Sequence, residues 1–465
     1  MIKFGTDGWR AVVGQDFNLE NVRVVAQAIA DYLIDMGLSP KGIVIGHDTR
    51  QLGGEAALAC QEVLMANGID VYLCQGVVPT PVVSYAVVQY QAGGGIMITA
   101  SHNPANWNGI KFKAQYGGSG LPTIINEIEQ RLGKNSVQRV PAQGRVGKVT
   151  AIQPKIAYLD QLKQLVDIDL IKRAGIKVIM DPMHGAAAGY IADLLVGGKT
   201  KVEEIRYQVD DTFGGVNPEP IKPNLVALVD GVEQTGAHVG LATDGDGDRL
   251  GAVSETGEVI SAQYLYALLL QHLVEDKGWS GGVVKTFSTT RLIDQLAHRY
   301  QIPIHETPIG FKYICQLMLT EDILLGGEES GGIGFKHHLP ERDGVLSGLF
   351  LLEMMAQRKL ALGELIDQLM ESNGRYCYDR IDLHLPAEQK DVMVSNLREQ
   401  PPMVFAGAKV NRVLTLDGYK LVLEDGSWIL FRASGTEPVV RVYAEAASDE
   451  RVKELLGAGE VLARF

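Results

Sequence analysis

Three features of this 465-residue sequence predict an α/β protein of four domains. One plan recurs three times: an apolar strand ending in a polar loop, a helical stretch, a second strand, and a third strand running into a loop rich in reactive side chains. The strands are continuous apolar runs rather than alternating ones, the pattern of mostly parallel sheets covered on both faces. After residue 375 the pattern changes to short strands joined by Asp-Gly turns, which reads as an antiparallel α+β unit.

The first unit carries GIVIGHDTR (42–50), DVYLCQG (70–76) and GGIMITASHNP (94–104). The second carries IKVIMDPMHG (176–185), KVEEIRYQ (201–208) and HVGLATDGDGDR (238–249). The third carries GVVKTFSTTR (282–291), IPIHETPIG (302–310) and ILLGGEESGG (323–332). In such sheets ligands bind beyond the carboxyl ends of the strands, where these loops lie. The polar stretch 133–148 reads as a linker, with further breaks near 254–258 and 371–375, so the expected units are 1–140, 141–254, 255–372 and 373–465. In the fourth, RVLTLDG, YKLVLEDG and WILFRASG are short strands, and SDERVKELLGAGEVL is a closing helix.

A net charge of -13 disfavours nucleic acid, whose affinity comes largely from phosphate neutralisation, but leaves room for a small anion at a local cluster of Arg and Lys. The four cysteines form no CxxC pair, so neither a zinc site nor a disulfide framework is expected. MIKFGTDGWR lacks the apolar core of a signal peptide, and YLYALLLQHLV (264–274) is too short to span a bilayer. The expectation is a cytoplasmic protein with reduced thiols and no membrane partner.

Asp244, Asp246 and Asp248 alternate with glycines in DGDGDR. In an extended strand they would stand roughly 6.6 Å apart, too far for one ion. Gly245 and Gly247 allow the chain to curl until the carboxylates converge, and a hard divalent cation such as Mg²⁺ then relieves their repulsion. Glu255 occupies the twelfth position of an EF-hand count from Asp244, but Arg249 stands at the sixth, where that loop needs glycine. In RASGTEP (432–438), Arg432, Ser434, Gly435 and Thr436 suit either an anion nest or a polar turn, with Arg441 nearby. In GGEESGG (326–332), Glu328 and Ser330 suit the vicinal hydroxyls of a sugar, or simply a glycine-rich surface loop. GGKT (197–200) lacks the earlier P-loop glycine, and GGIGFKHH lacks dinucleotide-binding spacing. His337 and His338 have no partner at metal-ligand spacing. Ser101, in TASHNP, is either a capping residue or a point where a phosphoryl group is attached, with a divalent ion neutralising the moving charge.

The four loops in this order resemble the α-D-phosphohexomutase superfamily, whose motifs are a TASHNP phosphoserine loop, a DGDGDR metal loop, a GEESGG-like sugar loop and an RxSGTEP phosphate loop. FGTDGWR (4–10) is similar to a further signature, and the resemblance covers essentially the whole chain. It implies four domains around a central cleft, with Ser101 as the phosphoserine and Asp244, Asp246 and Asp248 as Mg²⁺ ligands alongside the phosphoryl on Ser101. It further implies that Glu328 and Ser330 read the sugar hydroxyls, and that Arg432, Ser434, Gly435 and Thr436 cradle the distal phosphate. Arg10, His102, Lys111 and Arg249 match positions near the reacting phosphoryl. Lys285, Arg441 and the TPIGFK loop (307–312), with Gly310 and Lys312, match further substrate contacts.

The implied chemistry is a relay. Phosphorylated Ser101 gives its phosphoryl to a hexose monophosphate, and the 1,6-bisphosphate turns around and returns its other phosphoryl. GEESGG resembles the glucose-handling members, so the expectation is a phosphoglucomutase with glucose 1,6-bisphosphate as intermediate and phosphomannomutase activity alongside. A glucose-1,6-bisphosphate synthase would use the same residues. A non-catalytic sugar-phosphate sensor would not need the intact nucleophile, metal triad and basic cluster. The expected partners are small hexose phosphates, with the chain acting as a monomer or homodimer.

Overall fold

The computed structural model describes residues 2–5, 7–140, 145–433 and 439–464. Its first sheet is built from β1 (Trp9–Val12), β2 (Ile43–His47), β3 (Val71–Cys74), β4 (Gly94–Ile98), β5 (Trp107–Ala114) and β6 (Val149–Ile152), in spatial order β1-β5-β4-β2-β3-β6. The second contains β7 (Lys177–Asp181), β8 (Lys201–Glu204), β9 (Val239–Thr243), β10 (Leu250–Ser254) and β11 (Val259–Ile260), in order β11-β10-β9-β7-β8. The third contains β12 (Gly282–Thr286), β13 (Ile304–Thr307), β14 (Ile323–Gly327) and β15 (Ile333–Phe335), in order β13-β12-β14-β15.

These three sheets share one kernel. The first strand of each repeat lies in the middle, with the second and third strands parallel to it on either side. An antiparallel strand then returns beside the third: β5 on β4, β10 on β9 and β15 on β14. Strands β4, β9, β10, β12 and β14 are buried along their whole length, which explains their unbroken apolar sequences. The loops 99–106, 244–249 and 328–332 are therefore the same loop in three copies, each turning from the third strand into its antiparallel neighbour.

The fourth sheet is antiparallel. It comprises β16 (Cys377–His384), β17 (Val404–Phe405), β18 (Ala408–Leu414), β19 (Tyr419–Leu423), β20 (Trp428–Ala433) and β21 (Val439–Ala446), in order β16-β21-β20-β19-β18-β17. The helices Ala387–Glu399 and Asp449–Arg464 complete this unit.

Two sheets run past the boundaries expected from sequence. β6 pairs in parallel with β3, so the first sheet reaches residue 152 rather than stopping at 140. β6 is an edge strand exposed at Val149, Thr150 and Ala151 and anchored only by Ile152, a pattern too weak to read beside a polar stretch. Likewise β11 carries the second sheet to residue 260, past the expected break at 254.

One apolar core runs through the first three units, from Val44 and Val82 through Leu241 and Leu265 to Leu349 and Leu365. The helix Gly344–Arg358 is buried on nearly all sides within it, as its all-round apolar sequence requires. The fourth unit has a separate core around Leu421, Phe431, Val442 and Leu455. All four cysteines are buried and free of disulfides. Among the described residues, no helix is long and apolar enough to cross a membrane.

Candidate active site

The repeated kernel brings the three equivalent loops together. Gly245 packs so closely on Ser101 that an added Cβ would lie 2.7 Å from the Ser101 carbonyl oxygen. The amide of Leu250 donates to the Gly331 carbonyl at 3.1 Å, which sets the second loop beside the third.

Ser101 is buried in a left-handed backbone conformation, φ +53°. Its amide donates to Thr99 Oγ1 at 2.8 Å, and its hydroxyl donates to Asp244 Oδ2 at 2.7 Å. His102 Nδ1 lies 3.3 Å from the same hydroxyl. Burial first, and then the charges of Arg249 and Arg10, hold His102 well below the ordinary imidazole range, so the ring is neutral. Arg10 reaches this loop through Asn103 Oδ1 at 2.7 Å.

In the second loop the chain curls at Gly247, φ +73°. Asp244, Asp246 and Asp248 are fully buried, and one oxygen from each lies within 4.8 Å of the others. The amides of Asp248 and Arg249 donate to Asp244 Oδ1 at 3.0 and 3.1 Å. Asp246 Oδ1 and Asp248 Oδ1 are buried with no hydrogen-bond partner, although an orphaned buried carboxylate oxygen is costly. Burial and then the charges of Asp246 and Asp248 push Asp244 well above the usual carboxylate range. Three carboxylates, two of them with an unspent oxygen, and no nitrogen or sulfur ligand fit a hard divalent cation.

The triad also leans on cations from the other units. Lys111 donates to Asp246 at 2.7 Å and Asp248 at 3.1 Å, and pairs with Asp7 at 2.9 Å. Burial opposes its charge, but Asp246, Asp248 and Asp7 prevail and raise its pKa, so Lys111 stays an ammonium. Arg342 bonds Asp248 at 2.8 Å, pairs with Asp7, and reaches Glu328 at 3.3 Å. Asp7 and Asp248 thus alternate with Lys111 and Arg342 in a ring drawn from all three α/β units. Arg249 lies 3.9 Å from Asp244 and Asp248 and 3.7 Å from Glu219.

In the third loop Glu328 is buried, and burial pushes its carboxyl up to about 7 against the pull of Arg342. Ser330 is half-buried two residues on. Gly310, φ +133°, precedes the helix Phe311–Thr320, which carries Lys312 in its first turn. Partial burial lowers the Lys312 pKa.

Arg432 and Arg441 face each other across β20 and β21 of the fourth unit. Arg432 Nε donates to Asp417 at 3.0 Å, and Arg441 lies 3.7 Å from Asp382. Ser434, Gly435 and Thr436 lie outside the described residues. Lys285 is buried, bonded to Asp294 and 3.5 Å from Glu306.

Sequence reading passed over Asp7, Arg50, Thr80 and Arg342. Thr80 donates to Asp246 at 2.5 Å. Asp7 lies within the quoted FGTDGWR, and Arg50 ends the first strand loop HDTR. Arg342, in ERDG, had no local signal, because its partners come from distant parts of the chain.

The phosphoglucomutase/phosphomannomutase family matches the chain in four successive parts. Its alpha/beta/alpha domain I covers residues 1–139, domain II 156–257 and domain III 261–373, and its C-terminal domain covers 390–458. A phosphoglucomutase/phosphomannomutase of Thermococcus kodakarensis is 31% identical over 98% of this chain and 97% of its own. A phosphoglucosamine mutase of Thermobifida fusca is 32% identical over 97% of this chain and 96% of its own. The crystal structure of a proposed phosphomannomutase from Thermus thermophilus superposes with a TM-score of 0.88 at 35% identity, covering 100% of this chain and 99% of that one.

Proposed function

We propose, on the premise that this chain belongs to the phosphoglucomutase/phosphomannomutase family and is a phosphohexomutase, that it interconverts glucose 1-phosphate and glucose 6-phosphate through phospho-Ser101 and glucose 1,6-bisphosphate. The observation that carries this reading is the hydroxyl of Ser101 at 2.7 Å from Asp244, a nucleophile from one unit meeting a carboxylate cluster from another. Asp244, Asp246 and Asp248, with the phosphoryl on Ser101, would hold Mg²⁺, which neutralises charge on the transferring group.

The chain's own groups account for the rest. As the bond from phosphorus to Ser101 Oγ breaks, one forms to a sugar hydroxyl oxygen, and the proton of that hydroxyl is balanced by one regained on Oγ. Lys111 is held as a cation beside the triad and supplies fixed positive charge where negative charge gathers. His102, held neutral, stands with Nδ1 3.3 Å from Oγ and helps keep it directed. Arg10 and Arg249 flank the same point, and Glu328, with Ser330, takes the sugar hydroxyls. Arg432 anchors the phosphate that is not reacting, with Ser434, Gly435, Thr436 and Arg441 in the same cradle. Gly310 and Lys312 complete the substrate side.

The relatives divide over the sugar, so the deciding experiment is a coupled assay. It compares glucose, mannose and glucosamine 1-phosphates, each with Mg²⁺ or a chelator and with or without 1,6-bisphosphate. The highest kcat/KM is expected for glucose 1-phosphate, with turnover abolished by the chelator. A preference for glucosamine 1-phosphate would reassign the substrate, and net accumulation of bisphosphate would identify a synthase.

A further inference from the structure

Beneath the Ser101 loop lies a buried arginine that the chemistry above does not use. Arg50 follows β2, on the loop next to β4, and its guanidinium is spent almost wholly on backbone carbonyls. One terminal nitrogen donates to the Ser101 carbonyl at 2.5 Å and to that of Asn103 at 2.7 Å. The other donates to Pro104 at 2.8 Å and Trp107 at 2.9 Å. Four carbonyls that a tight polar loop would otherwise leave pointing inward therefore converge on one side chain.

The opposite side of the loop is held through Asp48. The Arg50 amide donates to Asp48 Oδ1 at 3.0 Å, and Thr99 Oγ1 donates to Asp48 Oδ2 at 2.5 Å while accepting the Ser101 amide at 2.8 Å. Both polar backbone groups of Ser101 are thus tied to the same HDTR segment. A non-glycine residue at φ +53° is uncommon and is kept there only when its surroundings over-determine it. The flat of the guanidinium lies 4.8 Å from the ring of Phe213, which belongs to the second α/β unit. The side chain that shapes the Ser101 loop is therefore also packed against the unit that carries the aspartate triad.

We propose that Arg50, backed by Asp48 and Thr99, is a positioning residue for phosphoryl transfer: it clamps Ser101 in its left-handed conformation so that Oγ faces Asp244. This rests on the reading of Ser101 as the phosphorylated residue. The site uses four of the guanidinium's five donors in one planar fork, and lysine, a point charge with three donors, cannot reproduce it.

The test uses the full-length chain with Arg50→Lys and Arg50→Ala, and Thr99→Val as a variant that loosens the loop from its other side. Transfer from glucose 1,6-bisphosphate to the protein is followed by intact mass in a single turnover, alongside steady-state kcat and KM and the melting temperature. Displacing a nucleophile by about 1 Å costs on the order of 100-fold in rate. The expected result is a loss of that order in transfer rate and kcat for folded Arg50→Lys, with KM within about threefold of wild type. Millimolar guanidinium, but not methylammonium, should restore part of the rate to Arg50→Ala. A merely structural role would lower the melting temperature without this kcat-against-KM split or the guanidinium response. Wild-type transfer rates in folded Arg50→Lys overturn the clamp. If the Arg50 variants fail to fold, a wild-type transfer rate in Thr99→Val does the same. Absence of phosphate from wild-type protein, matching a Ser101→Ala control, would instead sink the assignment of Ser101 and leave the kinetic comparison without a basis.

Discussion

At the scale of single residues, the site is a set of charges that burial would forbid if they stood alone. Lys111 and Arg342 remain charged in the interior because Asp7, Asp246 and Asp248 surround them. Glu328 is weakly compensated, since its ion-pair partner Arg342 is shared with three other carboxylates. Its carboxyl is raised to about 7, above the ordinary value of 4.5. A carboxyl raised in the folded state contributes stability below its ordinary pKa, and that contribution is lost as pH climbs through about 7. On the proposed reading of Glu328 as a sugar contact, its ionised form is the one that would accept bonds from sugar hydroxyls. We expect kcat/KM for glucose 1-phosphate to rise through pH about 7, and Glu328→Gln to lose that limb while keeping any inflection owed to the substrate's own phosphate. An unchanged pH profile in Glu328→Gln would remove Glu328 from sugar recognition.

At the scale of elements, the loops 99–106, 244–249 and 328–332 occupy one topological position in three copies of one kernel. Each leaves the carboxyl end of a buried strand and returns antiparallel, so packing the three kernels side by side brings the loops to one place. Glycines set how closely they meet. A Cβ on Gly245 would lie 2.7 Å from the Ser101 carbonyl and 3.1 Å from Pro218 Cγ, and neither neighbour is the end of a flexible chain. Gly245→Ala should therefore part the first two loops, at about 1–3 kcal/mol of stability from overpacking. Turnover should fall at least tenfold and divalent-ion affinity should weaken, read by kinetics and by Mn²⁺ titration. A fully active Gly245→Ala would mean that the contact is not required.

At the scale of the whole molecule, one apolar core runs through the three α/β units, while the fourth has its own and meets the third through a small cluster of Phe287, Val422, Trp428, Leu430 and Tyr443, so relative motion is expected at that seam. That seam is specific. Lys420 donates to the Phe287 carbonyl at 2.9 Å with its ammonium 4.0 Å from the Trp428 ring, and the Ile309 amide donates to Asp417 at 2.8 Å. Asp417 also holds Arg432, so a phosphate arriving at Arg432 competes for a group that ties the fourth unit to the third. On the proposed relay, an intermediate that offers each end in turn to Ser101 would require this seam to loosen and close. Small-angle scattering should show a smaller radius of gyration with a saturating hexose phosphate, and hydrogen exchange at Phe287 and Ile309 should change with it. Identical free and bound profiles would count against a moving fourth unit.

The sequence by itself determined the class of strands, the threefold plan and the chemistry each loop can offer, because apolar runs, glycine spacing and clustered carboxylates are local properties. The four motifs in order carried the family resemblance, and Ser101, Asp244, Asp246, Asp248 and Glu328 were nameable before any fold was seen. Only the tertiary structure decided which groups meet. Arg342 joins Asp7, Asp248 and Glu328 across more than 300 positions of chain at its widest, and no window of sequence holds that pairing. Arg50 was hidden for the same reason: its partners are backbone carbonyls, which every residue has and no sequence marks.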